Sequence, residues 1–215
     1  DNGEHDAFDD GSGDDEDIDY FGERDLSGYL TSVERYDPAL NAWERVSSML
    51  DERDRFSVAV LDGKLYAVGG YGSPWRSWQQ QEALSTVHRY DPAMNAWERV
   101  GQMARARAGH GVAVLNGKLY AVGGYDGGDL SSGTTLSSVE RYDPAANAWE
   151  EIAPMPTARQ NPGVGVLDSK LYVVGGVGDR SELLNTVVRF DPAKSAWEDV
   201  APIATARVAP LVALL

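Results

Sequence analysis

The sequence predicts an all-β protein made of repeated four-stranded antiparallel sheets, and three coincident markers carry that prediction. Tryptophans recur at Trp43, Trp97, Trp149 and Trp197, at spacings of 54, 52 and 48 residues. Arginines recur at Arg53, Arg107, Arg159 and Arg207, each ten residues after its tryptophan. Double glycines follow at Gly69-Gly70, Gly123-Gly124 and Gly175-Gly176, each sixteen residues beyond its arginine. A repeat of about fifty residues that holds four short strands implies a β-propeller, with the sheets set as blades around a channel.

Each unit reads as four strands in order. Gly111-Val112-Ala113-Val114-Leu115 is rich in Val and Ala and suits an inner strand. Asn116-Gly117 has the composition of a two-residue hairpin turn and leads into Lys118-Leu119-Tyr120-Ala121-Val122. The Gly-Gly pair ends this second strand, where a positive φ or a close approach is cheap only for glycine. The third strand, Leu136 to Tyr142, alternates apolar and polar residues as a half-buried strand does. Asp143-Pro144 opens a turn, and Trp149-Glu150-Glu151-Ile152 reads as a short outer strand. The aromatic-Asp-Pro triplet occurs four times, at Tyr36, Tyr90, Tyr142 and Phe190.

These units resemble kelch repeats. The likeness rests on Arg107 with Gly109 and Gly111, on Leu119-Tyr120 before Gly123-Gly124, on Ser138-Val139-Glu140-Arg141-Tyr142-Asp143-Pro144, and on Trp149. It covers roughly residues 26–215 and is most similar to the propellers of BTB-kelch proteins, the substrate receptors of cullin ubiquitin ligases. Residues 17–215 are assigned to the propeller and 1–16 to an acidic flexible tail.

The chain starts and stops within a repeat. Its first clear strand, Thr31 to Tyr36, is a third strand, and Val212 to Leu215 is a first strand. About four blades are expected. The resemblance implies a ring closed by the C-terminal strand joining the N-terminal blade, with Asp19-Tyr20-Phe21-Gly22 as a worn second strand. Three arrangements fit: a compact four-bladed ring, a piece of a longer chain, or two chains pooling their blades. An unclosed arc exposes sheet faces and edges.

Composition bounds the chemistry. The 215 residues carry 34 acidic and 19 basic side chains, a net charge of −15, and no cysteine. Disulfides, thiolate zinc sites and cysteine nucleophiles are thereby excluded. Residues 1–25 hold twelve acids and one base, so −11 of the charge sits there and only −4 on the rest. The first ~16 residues have the composition of a solvated tail. An EF-hand loop fails there, because Phe8 falls at a ligand position in either glycine register. The charge argues against nucleic acid as a partner, and no apolar run approaches the ~20 residues of a membrane helix.

Repeated residues are read as structural. The four tryptophans pack between blades, and the four arginines donate to carbonyls near blade junctions. Tyr66, Tyr120 and Tyr172 are core. Function is sought where copies differ, in the loops between second and third strands. The longest of these holds Trp75, Arg76 and Trp78, the composition of an interaction hot spot. The resemblance adds the positions after each Gly-Gly, Tyr71 and Tyr125 with Val177. It also adds those after each repeat arginine: Asp54 with Arg55, Ala108, Gln160 with Asn161, and Val208. Val177, Ala108 and Val208 are apolar, unlike a typical acidic-peptide pocket.

Enzymatic readings find little support in the residues. A copper radical oxidase of the family needs a Tyr–Cys crosslink, and there is no cysteine. His5 is in the tail, His88 is expected at a solvent-facing site, and His110 is expected to line the channel. Gly163-Val164-Gly165 lies within a strand and does not make a nucleotide loop. The expectation is a non-enzymatic module without cofactor or metal that binds a protein or peptide through its loops. The alternatives are a self-assembling subunit and a sugar-isomerase-type kelch enzyme. The resemblance slightly favours the cytoplasm.

Overall fold

A computed structural model describes residues 30–72, 82–127 and 133–213. The acidic segment, the Asp19–Gly22 strand, and Trp75, Arg76 and Trp78 lie outside the described residues. Blade I consists of β1 (Val33–Asp37) and β2 (Ala42–Val46), the third and fourth strands of a unit. Blade II is ordered β3 (Ser57–Leu61), β4 (Lys64–Val68), β7 (Val87–Asp91) and β8 (Ala96–Val100). A small ribbon, β5 (Tyr71–Gly72) with β6 (Glu82–Ala83), lies in its loop. Blade III runs β9 (Gly111–Leu115), β10 (Lys118–Val122), β11 (Val139–Asp143) and β12 (Ala148–Ile152). Blade IV runs β13 (Gly163–Leu167), β14 (Lys170–Val174), β15 (Val187–Asp191) and β16 (Ala196–Val200). All pairings within these sheets are antiparallel, as expected of kelch blades.

Local sequence explains the strand ends. The first hairpin turns are left-handed at both central residues, with φ of 52° at Asn116 and 70° at Gly117. That is the type I′ turn whose twist matches the flanking strands. At Gly69, φ is +58° and an added Cβ would lie 2.4 Å from the Arg107 carbonyl oxygen. A side chain there would force two blades apart. The inner strands β3, β9 and β13 lie side by side, and the apolar cores sit between successive blades. The core between blades II and III takes Leu61, Tyr66 and Val68 from one and Leu119, Ala121 and Tyr142 from the other.

Two repeated devices lock each blade to the next. The first is the tryptophan. Trp97, Trp149 and Trp197 donate their indole N–H to the carbonyls of Ser47, Gly101 and Ala153 of the preceding blade, each at 2.8 Å. Beside them, Asn95 and Asn147 Oδ1 accept from the Ser47 and Gly101 N–H groups at 2.9 and 2.7 Å. The second is the arginine. The Arg107 backbone belongs to blade II, where its N–H donates to Leu84 O and its carbonyl accepts from Gly70 N. Its guanidinium belongs to blade III, reaching Gly123 O at 2.8 Å, Ser138 O at 3.1 Å and Glu140 at 2.7 Å. Arg159 does the same between blades III and IV, reaching Gly175 O and Thr186.

The buried guanidinium charge is handled differently in each blade. Arg107 has Glu140, which also accepts from the N–H groups of Ala104 and Arg105. Arg53 faces His88 Nε2 at 3.0 Å, and His88 in turn lies 3.2 Å from Asp51. In blade IV the matching residue is the apolar Val188. Burial lowers the basicity of all three arginines, Arg53 to about 10. The expectation that position 88 faces solvent is therefore corrected. His88 and Glu140 are buried beside their repeat arginines, whereas Val188 is buried and offers Arg159 no polar partner.

The expected ring closure is not seen among the described residues. Among the described residues β1 pairs with β2 alone. Leu211, Val212 and Ala213 lie outside any strand, and Leu214 and Leu215 lie outside the described residues. Trp43 and Arg207 are exposed, unlike their three counterparts, because no described blade stands against them. Tyr66 and Tyr120 are core, whereas Tyr172, on the end blade, is half-buried.

Two expected outcomes follow from this packing. Arg107→Ala removes the clamp and leaves Glu140 buried without its cation, so it should cost about 3–5 kcal/mol. Glu140→Val, which copies blade IV, should cost less. Urea unfolding of both variants checks the order, and equal losses would refute it. Burial, reinforced by the nearby Arg107, pushes the His110 imidazole down to about 3. The unfolded chain therefore takes up a proton below pH ~6.5 that the folded chain refuses. That stability is present above pH 6.5 and falls by about 1.4 kcal/mol per pH unit on the way to pH 3. His110→Phe, which copies Phe56, should flatten the loss between pH 7 and 5 in unfolding measurements.

Candidate functional site

The turns that follow the repeat arginines build the site. Arg55, Gly109, Asn161 and Ala209 occupy equivalent positions, and all are left-handed, with φ of 48°, 56°, 50° and 47°. Their backbones join one another across blades. Gly109 N donates to Arg55 O at 3.0 Å, Asn161 N to Gly109 O at 2.6 Å, and Ala209 N to Asn161 O at 2.9 Å. This belt crosses the inner ends of the blades and fixes each turn relative to its neighbour. At its first member the pattern changes, for the Arg55 N–H bonds to the Asp54 carboxylate at 2.8 Å.

A cavity of about 220 Å³ opens at the belt, with Arg55, Ser57, His110 and Asn161 on its walls. Arg55 is exposed and held on two sides: its Nε lies 3.7 Å from Asp54, and its guanidinium stands 6.0 Å over the Tyr71 ring. Asn161 leans across Gly109, where an added Cβ would lie 2.6 Å from its Oδ1. Ser57 donates to the His110 carbonyl at 2.5 Å. His110 lines the cavity. Its ring is buried against Gly69, and neither nitrogen has a hydrogen-bond partner among the described residues. It is a neutral imidazole at physiological pH, because burial disfavours the cation.

The positions chosen from sequence come together in pairs. Asp54 bridges Tyr71, Ala108 bridges Tyr125, and Gln160 bridges Val177, so each turn is tied to the residue after a Gly-Gly. Arg55 and Asn161 share the cavity. Tyr71 and Tyr125 are buried, packed with Ala108 and Ala83. Their rings support the site from beneath, and Tyr125 OH accepts from the Gly133 N–H at 2.9 Å. Sequence reading missed Ser57 and the belt. Residues at the belt positions are Arg, Gly, Asn and Ala, which share a conformation but no chemistry. Among the described residues no three His, Cys, Asp or Glu side chains are grouped to hold a metal ion.

Comparison with known proteins agrees with this architecture. The sequence matches the Kelch motif over residues 21–50, 52–104, 106–156 and 158–203. It is similar to Beta-scruin of Limulus polyphemus, 34% identical over 69% of this chain and 16% of that protein. Kelch-like protein 26 of Danio rerio is 35% identical over 72% of this chain and 24% of that protein. Kelch-like ECH-associated protein 1A of the same organism is 38% identical over 52% and 17%. The chain thus spans between 16% and 24% of these relatives' lengths. Among solved structures, the one titled "Structure of YjhT" aligns with a TM-score of 0.69 at 18% identity, over 84% of this chain and 67% of that one. On the four matched motif copies and the blades they form, the chain belongs to the kelch-repeat family.

Proposed function

We propose that the chain is a non-enzymatic interaction module that takes a protein or peptide partner on its loop face, over the cavity between Arg55 and Asn161. One observation carries this reading. Side chains with different chemistry are presented around a cavity on a hydrogen-bonded backbone belt whose four described turns share one left-handed conformation. A rigid frame with variable side chains lets binding proceed with little ordering cost. Kelch repeat domains are commonly protein-binding modules, and kelch homologues bind proteins, which supports the reading.

The chemistry of the face narrows the partner. Arg55 offers a guanidinium whose charge is shared with Asp54, and Asn161 offers an amide. Half-buried Val177 and exposed Val208 supply apolar neighbours at matching positions of other turns. Such a surface suits a mixed peptide with one acceptor for Arg55 better than a strongly acidic one. Trp75, Arg76 and Trp78 extend the proposed contact along the longest loop.

Panning a displayed peptide library against the chain tests the proposal. Selected peptides should lose at least ~10-fold affinity on Arg55→Ala or Asn161→Ala, the ~1.4 kcal/mol of one good polar contact. Trp75→Ala and Trp78→Ala should weaken binding similarly without lowering the unfolding midpoint. Glu44→Ala, on the outer strand β2, should leave affinity unchanged. Binding indifferent to the Arg55 and Asn161 substitutions would overturn the site.

A further inference from the structure

The first and last blades each expose the face that their inner counterparts bury. On blade I, Trp43 is 68% exposed, whereas Trp97, at the same position in blade II, is 9% exposed. Its indole N–H has no hydrogen bond among the described residues, although the other three repeat tryptophans each have one. Glu34 stands where Glu140 stands in blade III, yet it is exposed, with Arg45 only at 4.0 Å.

Blade IV ends in the complementary surface. Leu167 is 44% exposed, whereas its equivalent Leu115 is 2%. Arg207 keeps the backbone ties of a repeat arginine, donating to Leu184 O and accepting from Gly176 N. Its exposed guanidinium enters no blade among the described residues and turns back to Thr205 O at 3.4 Å. Val212 sits over Gly163 and Gly165, as Val164 sits over Gly111.

We propose that the exposed face of blade I docks the exposed face of blade IV of a second copy of this chain, head to tail. The contact is the blade-to-blade interface already present within the chain, and the internal copies specify its bonds. Trp43 donates to the partner copy at Ala201 O, as Trp149 does to Gly101 O. Asn41, already oriented by the Tyr36 hydroxyl at 2.7 Å, accepts from the Ala201 N–H as Asn147 does from Gly101. Arg207 enters blade I of the next copy and pairs with Glu34, as Arg107 pairs with Glu140. The three contacts fall at the same offsets as in the internal seams, which an unrelated protein surface would not reproduce. Being heterologous, the contact gives a ring where its rotation closes and a longer assembly where it does not. This inference is independent of the loop-face reading.

Light scattering and sedimentation of the purified full chain test it. The wild type should show a mass of two chains or more. Trp43→Arg, which blocks one face, and Leu167→Arg, which blocks the other, should each give single chains. Because each retains one intact face, their equimolar mixture should form a dimer. Glu34→Arg and Arg207→Glu should each weaken association at least ~10-fold, and mixing these two chains should restore it. Should an arginine placed in a face unfold the chain, the Glu34 and Arg207 pair alone decides, since both side chains are exposed. A wild type of single-chain mass, as in-chain closure would give, overturns the proposal. So does a mass unchanged by the blocking substitutions, or a mixture that does not assemble.

Discussion

The structure depends on an arginine that belongs to two blades at once. Its main chain completes the hydrogen bonding of one sheet, and its guanidinium completes that of the next. At Arg107 the first task joins Leu84 and Gly70, and the second joins Gly123, Ser138 and Glu140. A planar fork of donors is needed because two carbonyls and a side-chain acceptor must be met in fixed directions. The double glycine follows from the same constraint. The Arg107 carbonyl comes so near Gly69 that a side chain has no room. The tryptophan clasp works at the outer strands as the arginine works at the inner ends, so each seam is held at both extremes with the apolar core between.

Much of this was legible in the sequence, since a device that recurs in one register must serve the same geometry each time. The strand order of blades II to IV, the I′ turn at Asn116-Gly117 and the interblade tryptophans could all be read that way. What could not be read was compensation. Position 88 holds His, Glu or Val in the complete blades, and variation of that kind resembles tolerance at a solvated site. In fact all three are buried, and His88 and Glu140 each partner the guanidinium of their own blade while Val188 partners none. The belt was hidden for the opposite reason, because a shared left-handed turn leaves no common side chain at Arg55, Gly109, Asn161 and Ala209.

The candidate site was half legible. Its positions were identified from resemblance, but whether a side chain there points out or in depends on pairing that a residue list does not contain. Tyr71 and Tyr125 turned inward because their strands pair with the turns at Asp54 and Ala108 and pack over one another. Arg55 and Asn161 turned outward because a left-handed residue at the crest of each turn presents its side chain to the cavity. Conformation thus selects which variable residues are presented on the face.

Unequal charge compensation has a consequence for how the chain finds its own order. Repeats as alike as Gly63 to Tyr71 and Gly117 to Tyr125, identical over nine residues, invite a blade to pair with the wrong neighbour during folding. Arg107 offered to blade IV would meet Val188 and lose its carboxylate. Arg159 offered to blade III would leave Thr186 of blade IV without its guanidinium partner. The ionic differences therefore act as addresses written on otherwise interchangeable parts, and they separate the correct blade order from its permutations where the apolar cores alone do not.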